Sequence, residues 1–175
     1  SPLSSRSPIK VGVELFGAAG VDAELELISL LLTALDLVKL ERQYIDVGHV
    51  AIFRALARFA QLSQDQEANL FSLLQSKALS DIDDWLARNV ADKQAKSWFS
   101  ALPRLAGSGP VIDRAREILA GAPPEVERSL GELEALRDTV SQRFPAAQLY
   151  FDLSELRGYQ YHTGVVFGAF SPGVG

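Results

Sequence analysis

The chain has 175 residues, of which 47% are apolar, and its formal net charge at pH 7 is −5. This apolar content can form the core of one domain, or of one domain and a small second one. The negative charge argues against a broad nucleic-acid surface, because phosphate contacts need clustered lysine and arginine. The absence of cysteine excludes disulfides and thiolate metal sites, and it agrees with a reducing cytoplasm.

The first 60 residues predict a strand, a helix, a second strand and a second helix. The stretch IKVGVELFG, residues 9–17, alternates apolar side chains with Glu14 and other polar or small residues, which is typical of a half-buried strand. Asp22 is predicted as the N-cap of a buried helix that extends to Leu40. The stretch RQYIDVGHV predicts a short strand that ends at Gly48, and helical spacing follows to Ala60.

The longest strongly apolar region lies in the first of these helices. Only residues 27–35 of it are free of charge, whereas a membrane span needs about 20 apolar residues. The sequence therefore predicts no membrane segment. No secretory signal is visible at the start, and the chain has no methionine and begins at Ser1 in a loop-like stretch, so we expect it to be an internal piece of a longer protein.

The middle of the chain predicts helices only. Ser63 and Gln66 have the spacing of a capping box, and helical periodicity continues to about Ala101. Pro110 is predicted to start a helix that stops near Gly121. Pro123 and Pro124 are predicted to open a further helix, ended by Pro145, whose apolar residues form one stripe: Val126, Leu130, Leu133, Leu136 and Val140.

β-Branched and aromatic residues return after residue 148. They predict strands at LYFDL and at YQYHTGVVFGAF, the second with Tyr159, Tyr161 and Thr163 on one face. The predicted class is α+β, in which an all-helical insertion interrupts a β-containing core. The predicted parts are residues 1–61, residues 62–145 as the insertion with its connecting helices, and residues 146–175.

Arg157 and Gly158 lie at the entrance of that last predicted strand. A guanidinium there can project into a site for an anionic group, while glycine permits close approach of backbone or ligand. The alternative is structural: Arg157 pairs with Asp152 or Glu155, and the tyrosines line a core. Composition and spacing leave both interpretations open.

The stretch LRGYQYHTGVVF, residues 156–167, resembles the histidine-specific motif of histidyl-tRNA synthetases, R-G-L-D-Y-Y-T-G. VGVELFG, residues 11–17, resembles the second strand of class II motif 2 in the same family. Together with DVGHVAIFRAL, these stretches are most similar to the paralogues that serve ATP phosphoribosyltransferase as regulatory subunits. The resemblance implies a partial class II aminoacyl-tRNA synthetase-like core with an antiparallel sheet.

The resemblance also implies a ligand pocket for histidine. Glu14 matches the acid that binds the α-amino group, and Arg157 matches the arginine beside the histidine carboxylate. Tyr161 matches the first tyrosine of the family's pair, and His162 stands where the second, imidazole-reading tyrosine would be. His162, Gln160 and Lys10 each depart from the synthetase pattern, which favours a pocket kept for sensing without catalysis.

Structural alternatives also remain for Glu14 and His162. Glu14 could be an exposed acid, and His162 a hydrogen-bonded core histidine. His49 is expected to be structural, donating to a nearby backbone carbonyl. Two histidines far apart and no cysteine give no zinc-site spacing, so we predict neither a metal nor a cofactor.

The implied function is that of a cytoplasmic, non-catalytic regulatory subunit in the first step of histidine biosynthesis. Its implied partners are the short-form ATP phosphoribosyltransferase catalytic subunit and histidine as feedback effector, with self-association of the full chain. The alternative is a catalytic-domain fragment of a histidyl-tRNA synthetase, which would need motif 1, a motif 2 arginine and motif 3, none of them found in these residues. A purely helical interaction scaffold is a third possibility, but it leaves the histidine motif unexplained.

Overall fold

The structure is a computed structural model that describes residues 12–18, 20–37, 39 and 43–170. Its secondary structure in chain order is α1 (Val21–Leu37), β1 (Gln43–His49), α2 (Val50–Phe59), α3 (Gln64–Ser76), α4 (Leu79–Asn89), α5 (Lys93–Ala101), a 3₁₀ turn (Leu102–Arg104), β2 (Ala106–Gly107), α6 (Pro110–Ile118), α7 (Pro124–Arg143), β3 (Ala147–Asp152) and β4 (Val165–Phe170). Within these residues, no helix combines the length and the apolar character that crossing a bilayer requires.

The four strands form one sheet in the order β2-β3-β1-β4. Strand β1 is antiparallel to β4 but parallel to β3, so the sheet is mixed. The resemblance had implied an antiparallel sheet, and this part of the prediction is corrected. The reason is the long connection: helices α2 to α7 return the chain to the same end of the sheet, and a parallel pair requires such a crossover. The α+β class is confirmed.

The helical middle follows its sequence pattern closely. The Ser63 side chain accepts from the Gln66 backbone while the Gln66 side chain accepts from the Ser63 backbone, which confirms the predicted capping box. Helices α6 and α7 begin at the predicted prolines, and the five apolar residues of the α7 stripe are all buried. Because α7 packs on α1, α2 and β3, the helices and the sheet share one core. The three-part division of the chain stays a prediction.

The N-terminal predictions need correction where the structure describes them. Residues 12–17 are exposed and form no strand, because no described strand pairs with them; residues 9–11 lie outside the described part. Helix α1 begins at Val21, with the Gly20 carbonyl accepting from Ala23 and Glu24, so Asp22 is not the N-cap. Only Ile28 and Leu32 of this helix are buried, since a single face packs against the rest of the described structure.

The long C-terminal strand is also shorter than predicted. Strand β4 begins at Val165, and residues 157–164 form turns in which the Gly158 carbonyl accepts from the backbone N–H of Tyr161 and His162. Gly158 has φ +68°, a conformation that glycine adopts without the penalty a side chain incurs. Tyr159 and Tyr161 therefore do not share a strand face.

Two glycines allow a test of this packing. A Cβ on Gly48 would lie 2.3 Å from the Glu155 carbonyl oxygen, whereas a Cβ on Gly131 in α7 would meet no atom within 4 Å. We expect Gly48→Ala to lower the free energy of unfolding by about 1–3 kcal/mol through overpacking. Gly131→Ala should raise it by about 0.5–1 kcal/mol, because alanine loses less entropy in a helix. Chemical denaturation measures both; a Gly48→Ala protein as stable as the wild type would contradict the packing described.

Candidate functional site

A cavity of about 1160 Å³ opens beside the edge strand β4. Its walls are residues 12–18, one side of α1 from Ala23 to Ala34, the turn at residues 157–164 and strand β4, with parts of α2 and α7 completing it. All four residues that the sequence selected line this cavity: Glu14, Arg157, Tyr161 and His162. The chain folds so that residues from near both of its ends face one space.

Arg157 is half exposed and pairs with Glu155. Its Nε lies 3.0 Å from Glu155 Oε1, its Nη2 donates to Glu155 Oε2 at 3.0 Å, and its backbone N–H donates to the same carboxylate. The hydrogen bond to Glu155 raises the pKa of Arg157, with Asp46 and Asp152 adding to the effect. The pairing that the sequence offered as an alternative is therefore present. Arginine has five N–H donors, so one guanidinium can bind more than one acceptor at a time.

The Arg157 guanidinium also approaches the edge strand closely. A Cβ on Gly168 would lie 3.2 Å from Arg157 Nη1, so glycine at this position leaves room for the guanidinium. Gly168 faces Asp46 across the β1–β4 pair, and burial raises the pKa of Asp46 while Arg157 lowers it. The arginine thus lies above the sheet in acidic surroundings.

The side chains of Glu14 and His162 lie next to each other in the lining of the cavity. Glu14 Oε1 is 3.7 Å from His162 Nε2, which is an ion-pair distance only when the imidazole is protonated and is too long for a hydrogen bond. The Glu14 side chain is 56% exposed and that of His162 is 33% exposed. Neither is buried, so His162 is not a core histidine in the described structure.

The two tyrosines of the motif have different surroundings. Tyr161 is 80% exposed beside the cavity. Tyr159 instead packs inward, stacked on Phe71 and edge-on to Phe53, with the Arg54 guanidinium 4.8 Å from its ring centre. Arg54 also donates to the Tyr159 carbonyl. The structural interpretation of the tyrosines holds for Tyr159 only.

Sequence reasoning missed a polar cluster at the inner end of the cavity. It consists of Glu24 from α1, His49 from β1 and Glu132 from α7. These three residues are too far apart in the chain for spacing to reveal them. The only signal available was that Glu24 and Glu132 occur on helices whose apolar residues face the core.

His49 is structural, but not in the way expected. Its Nδ1 accepts from the backbone N–H of Ala51 and thereby caps α2, while its Nε2 lies 2.8 Å from Glu132 Oε2. An accepting Nδ1 has no proton, so the neutral ring is protonated on Nε2 and donates to Glu132.

Glu24 has a different environment on each of its oxygens. Oε1 accepts from the Val165 backbone N–H at 3.1 Å, whereas Oε2 is buried and has no hydrogen-bond partner among the described residues. Burial raises the pKa of the Glu24 carboxyl; the Val165 bond and His49 lower it, and Glu132 raises it further. This carboxyl is therefore held in an environment that disfavours its charge.

A metal ion fits this cluster poorly. One potential ligand atom from each of Glu24, His49 and Glu132 lies within 4.8 Å of the others, a spacing compatible with a divalent cation. A metal at His49 Nε2 needs the lone pair of that nitrogen, but the cap on α2 uses the lone pair of Nδ1 and leaves the proton on Nε2. Metal binding would therefore break the helix cap, and the arrangement is better described as a hydrogen-bonded network.

A profile of the histidyl-tRNA synthetase family matches residues 1–175. Curated proteins named ATP phosphoribosyltransferase regulatory subunit are similar along nearly the whole chain. The protein from Teredinibacter turnerae is 58% identical over 173 residues, which are 99% of this chain and 44% of that protein. The protein from Pseudomonas syringae pv. tomato is 49% identical over 172 residues, 98% of this chain and 43% of its own length. The chain thus spans less than half the length of these relatives.

Solved structures show the same fold. A Bacillus halodurans protein described as an ATP phosphoribosyltransferase regulatory subunit/histidyl-tRNA synthetase has a TM-score of 0.77 at 23% identity, covering 91% of this chain and 41% of that one. A chain of the ATP phosphoribosyl transferase (HisG:HisZ) complex from Thermotoga maritima has a TM-score of 0.68 at 13% identity, covering 89% and 53%. Identities this low show the fold alone, which is class II synthetase-like. Because the family profile spans all 175 residues, the chain belongs to the histidyl-tRNA synthetase family, and its relatives in that family include the ATP phosphoribosyltransferase regulatory subunits.

Proposed function

We propose that the longer protein containing this chain is a non-catalytic regulatory subunit, which ATP phosphoribosyltransferase needs for activity in the first step of histidine biosynthesis. The observation that supports this most strongly is the 58% identity, over 99% of the chain, to a protein of that name. Its partner is the short-form catalytic subunit, in line with the transferase complex described for the Thermotoga maritima neighbour. The protein acts in the cytoplasm and self-associates.

The second part of the proposal is that histidine inhibits the enzyme by binding in the cavity beside β4. Glu14 is exposed at the mouth of this cavity and offers a carboxylate to the ammonium group. Arg157 offers its guanidinium to the carboxylate of histidine. That carboxylate would compete with Glu155 for the guanidinium or share it with Glu155. Tyr161 and His162 remain for the imidazole.

The residues of the turn favour binding over reaction. Gln160 and His162 replace the aspartate and the second tyrosine of the synthetase motif, and Lys10, another departure, lies outside the described residues. His162 lies beside Glu14, so an imidazole occupies space next to the acid that should hold the substrate's amine. A misplacement of about 1 Å can cost on the order of 10²-fold in rate, so these changes suit a site that holds histidine without activating it.

The alternative, an active histidyl-tRNA synthetase, is supported by the family profile, and histidine activation distinguishes the two. We expect the full protein to show only background histidine-dependent exchange of pyrophosphate into ATP. The physical reason is the altered turn around His162. Clear exchange above background, in an assay where an authentic synthetase is active, would reject the regulatory function in favour of the synthetase.

Reconstitution tests the regulatory function directly. Mixing the full protein with a short-form catalytic subunit should switch on phosphoribosyl-ATP formation, and added histidine should suppress it. Arg157→Ala and Glu14→Ala each remove one charged hydrogen bond to histidine. The histidine concentration for half-inhibition should therefore rise about 10-fold or more. Activation itself should persist in both variants.

Matched controls are Arg88→Ala on α4 and Glu26→Ala on α1, two exposed residues that do not line the cavity. Both controls should be inhibited like the wild type. Transferase activity that ignores the added protein would overturn the regulatory assignment. Activation with unchanged histidine inhibition in Arg157→Ala and Glu14→Ala would overturn only the site.

A further inference from the structure

The peptide unit between Gly164 and Val165 is held from two sides. The Val165 N–H donates to Glu24 Oε1 at 3.1 Å, and the Gly164 carbonyl accepts from the Val50 N–H at 3.1 Å. This peptide joins the turn at residues 157–164 to strand β4. It is therefore the fixed end of the segment that presents Tyr161 and His162 to the cavity.

Glu24 supplies a partner that the sheet does not. Val165 lies opposite His49 at the end of the antiparallel β1–β4 pair, and β4 is one of the two edge strands of the described sheet. In an antiparallel pair the backbone groups of alternate residues point away from the partner strand. The Val165 N–H points away from β1 to Glu24, so without this carboxylate it would lose its only hydrogen bond within the described residues.

The fit between Glu24 and the turn is close. A Cβ added to Gly164 would lie 2.7 Å from Glu24 Oε1, which is closer than real Cβ contacts. Only glycine at 164 lets the carboxylate reach the Val165 N–H without displacement. The contact therefore joins two segments 140 positions apart in the chain, and a side chain at 164 would shift the flexible end of Glu24.

The other side of the junction is fixed through His49. Val50, which binds the Gly164 carbonyl, is the first residue of α2, and the His49 side chain caps that helix while its Nε2 bonds Glu132. Carboxylates from α1 and α7 thus hold the same junction, one directly and one through the helix cap. The rest of the turn has its own attachments, because Arg54 binds the Tyr159 carbonyl.

From these contacts we propose that Glu24 is a positioning residue for the histidine site: it fixes the Gly164–Val165 end of the turn that carries Tyr161 and His162, without touching histidine itself. The proposal rests on the proposed function, because it concerns the affinity of that same cavity. It assigns Glu24 the role of hydrogen-bond acceptor and gives its negative charge no part in binding. Consistent with that role, burial raises the pKa of this carboxyl.

Glutamine distinguishes positioning from direct contact. Glu24→Gln keeps an oxygen for the Val165 N–H but removes the charge, whereas Glu24→Ala removes the acceptor as well. The glutamine NH₂ would occupy the place of Oε2, which has no hydrogen-bond partner among the described residues. One carboxylate oxygen of Glu24 lies within 4.8 Å of one of Glu132. If Glu24 bound the ligand's ammonium or imidazolium by charge, glutamine would be as damaging as alanine.

The test is calorimetric titration of the full protein with L-histidine. Loss of a partly buried hydrogen bond to a carboxylate corresponds to about 10-fold, so Glu24→Ala should bind histidine about 10-fold more weakly. Glu24→Gln should bind within about 3-fold of the wild type, and the matched control Glu26→Ala, exposed on the same helix, should bind as the wild type does. Glu24→Asp shortens the side chain and draws its carboxylate back from the Val165 N–H, so it should weaken binding in the same direction even if Glu24→Ala fails to fold.

Three results would overturn this inference. Wild-type affinity in a folded Glu24→Ala or Glu24→Asp protein would show that the turn does not depend on the contact. A Glu24→Gln protein as weak as Glu24→Ala would show a direct charge contact instead. A wild-type protein that binds no histidine would overturn the proposed site together with this inference. The first two results would overturn the role of Glu24 and leave the proposed site standing.

Discussion

The pairing of β1 with both β3 and β4 is the constraint on which the rest of the structure depends. Strand β1 comes from the first 50 residues, and its two partners come from the last 30. Helices α2 to α7 lie between β1 and β3 in the chain, and their buried residues share one core with those of the sheet. The strand pairing also brings the turn after β3 beside α1 and residues 12–18, so that a cavity forms between them and β4.

The charges around that cavity suit a small zwitterion. Carboxylates of Glu14 and Glu24 and the guanidiniums of Arg54 and Arg157 line one space, although the whole chain is acidic. Several are already engaged with neighbours: Arg157 with Glu155, and Glu24 with Val165. A ligand that regulates must favour one conformation over another, and a coupling of about 1–3 kcal/mol gives roughly 5- to 150-fold control. The turn, tied to α1 by Glu24 and to α2 by Val50, is the element that histidine would bias in the proposed function.

Local signals in the sequence predicted the helices well, because their caps and stripes are determined by neighbours in the chain. Ser63 with Gln66, the prolines at 110 and 124, and the buried stripe of α7 are examples. Strands were less predictable, since alternation at residues 12–17 indicates a strand but cannot supply a pairing partner. The turn at residues 157–164 has the residues of a β segment, yet Gly158 at positive φ and the contacts to its carbonyl bend it out of the sheet.

The four cavity residues could be selected by resemblance, because the histidine motif places three of them within six positions. The cluster of Glu24, His49 and Glu132 could not, since it depends on how α1, β1 and α7 pack. The most direct test of the central claim, that this cavity holds histidine, is a structure of the full protein with histidine bound. Our account predicts the ammonium within hydrogen-bonding distance of Glu14 and the carboxylate within that distance of Arg157. Histidine bound elsewhere, for instance at a subunit boundary, with this cavity left without it, would contradict the account.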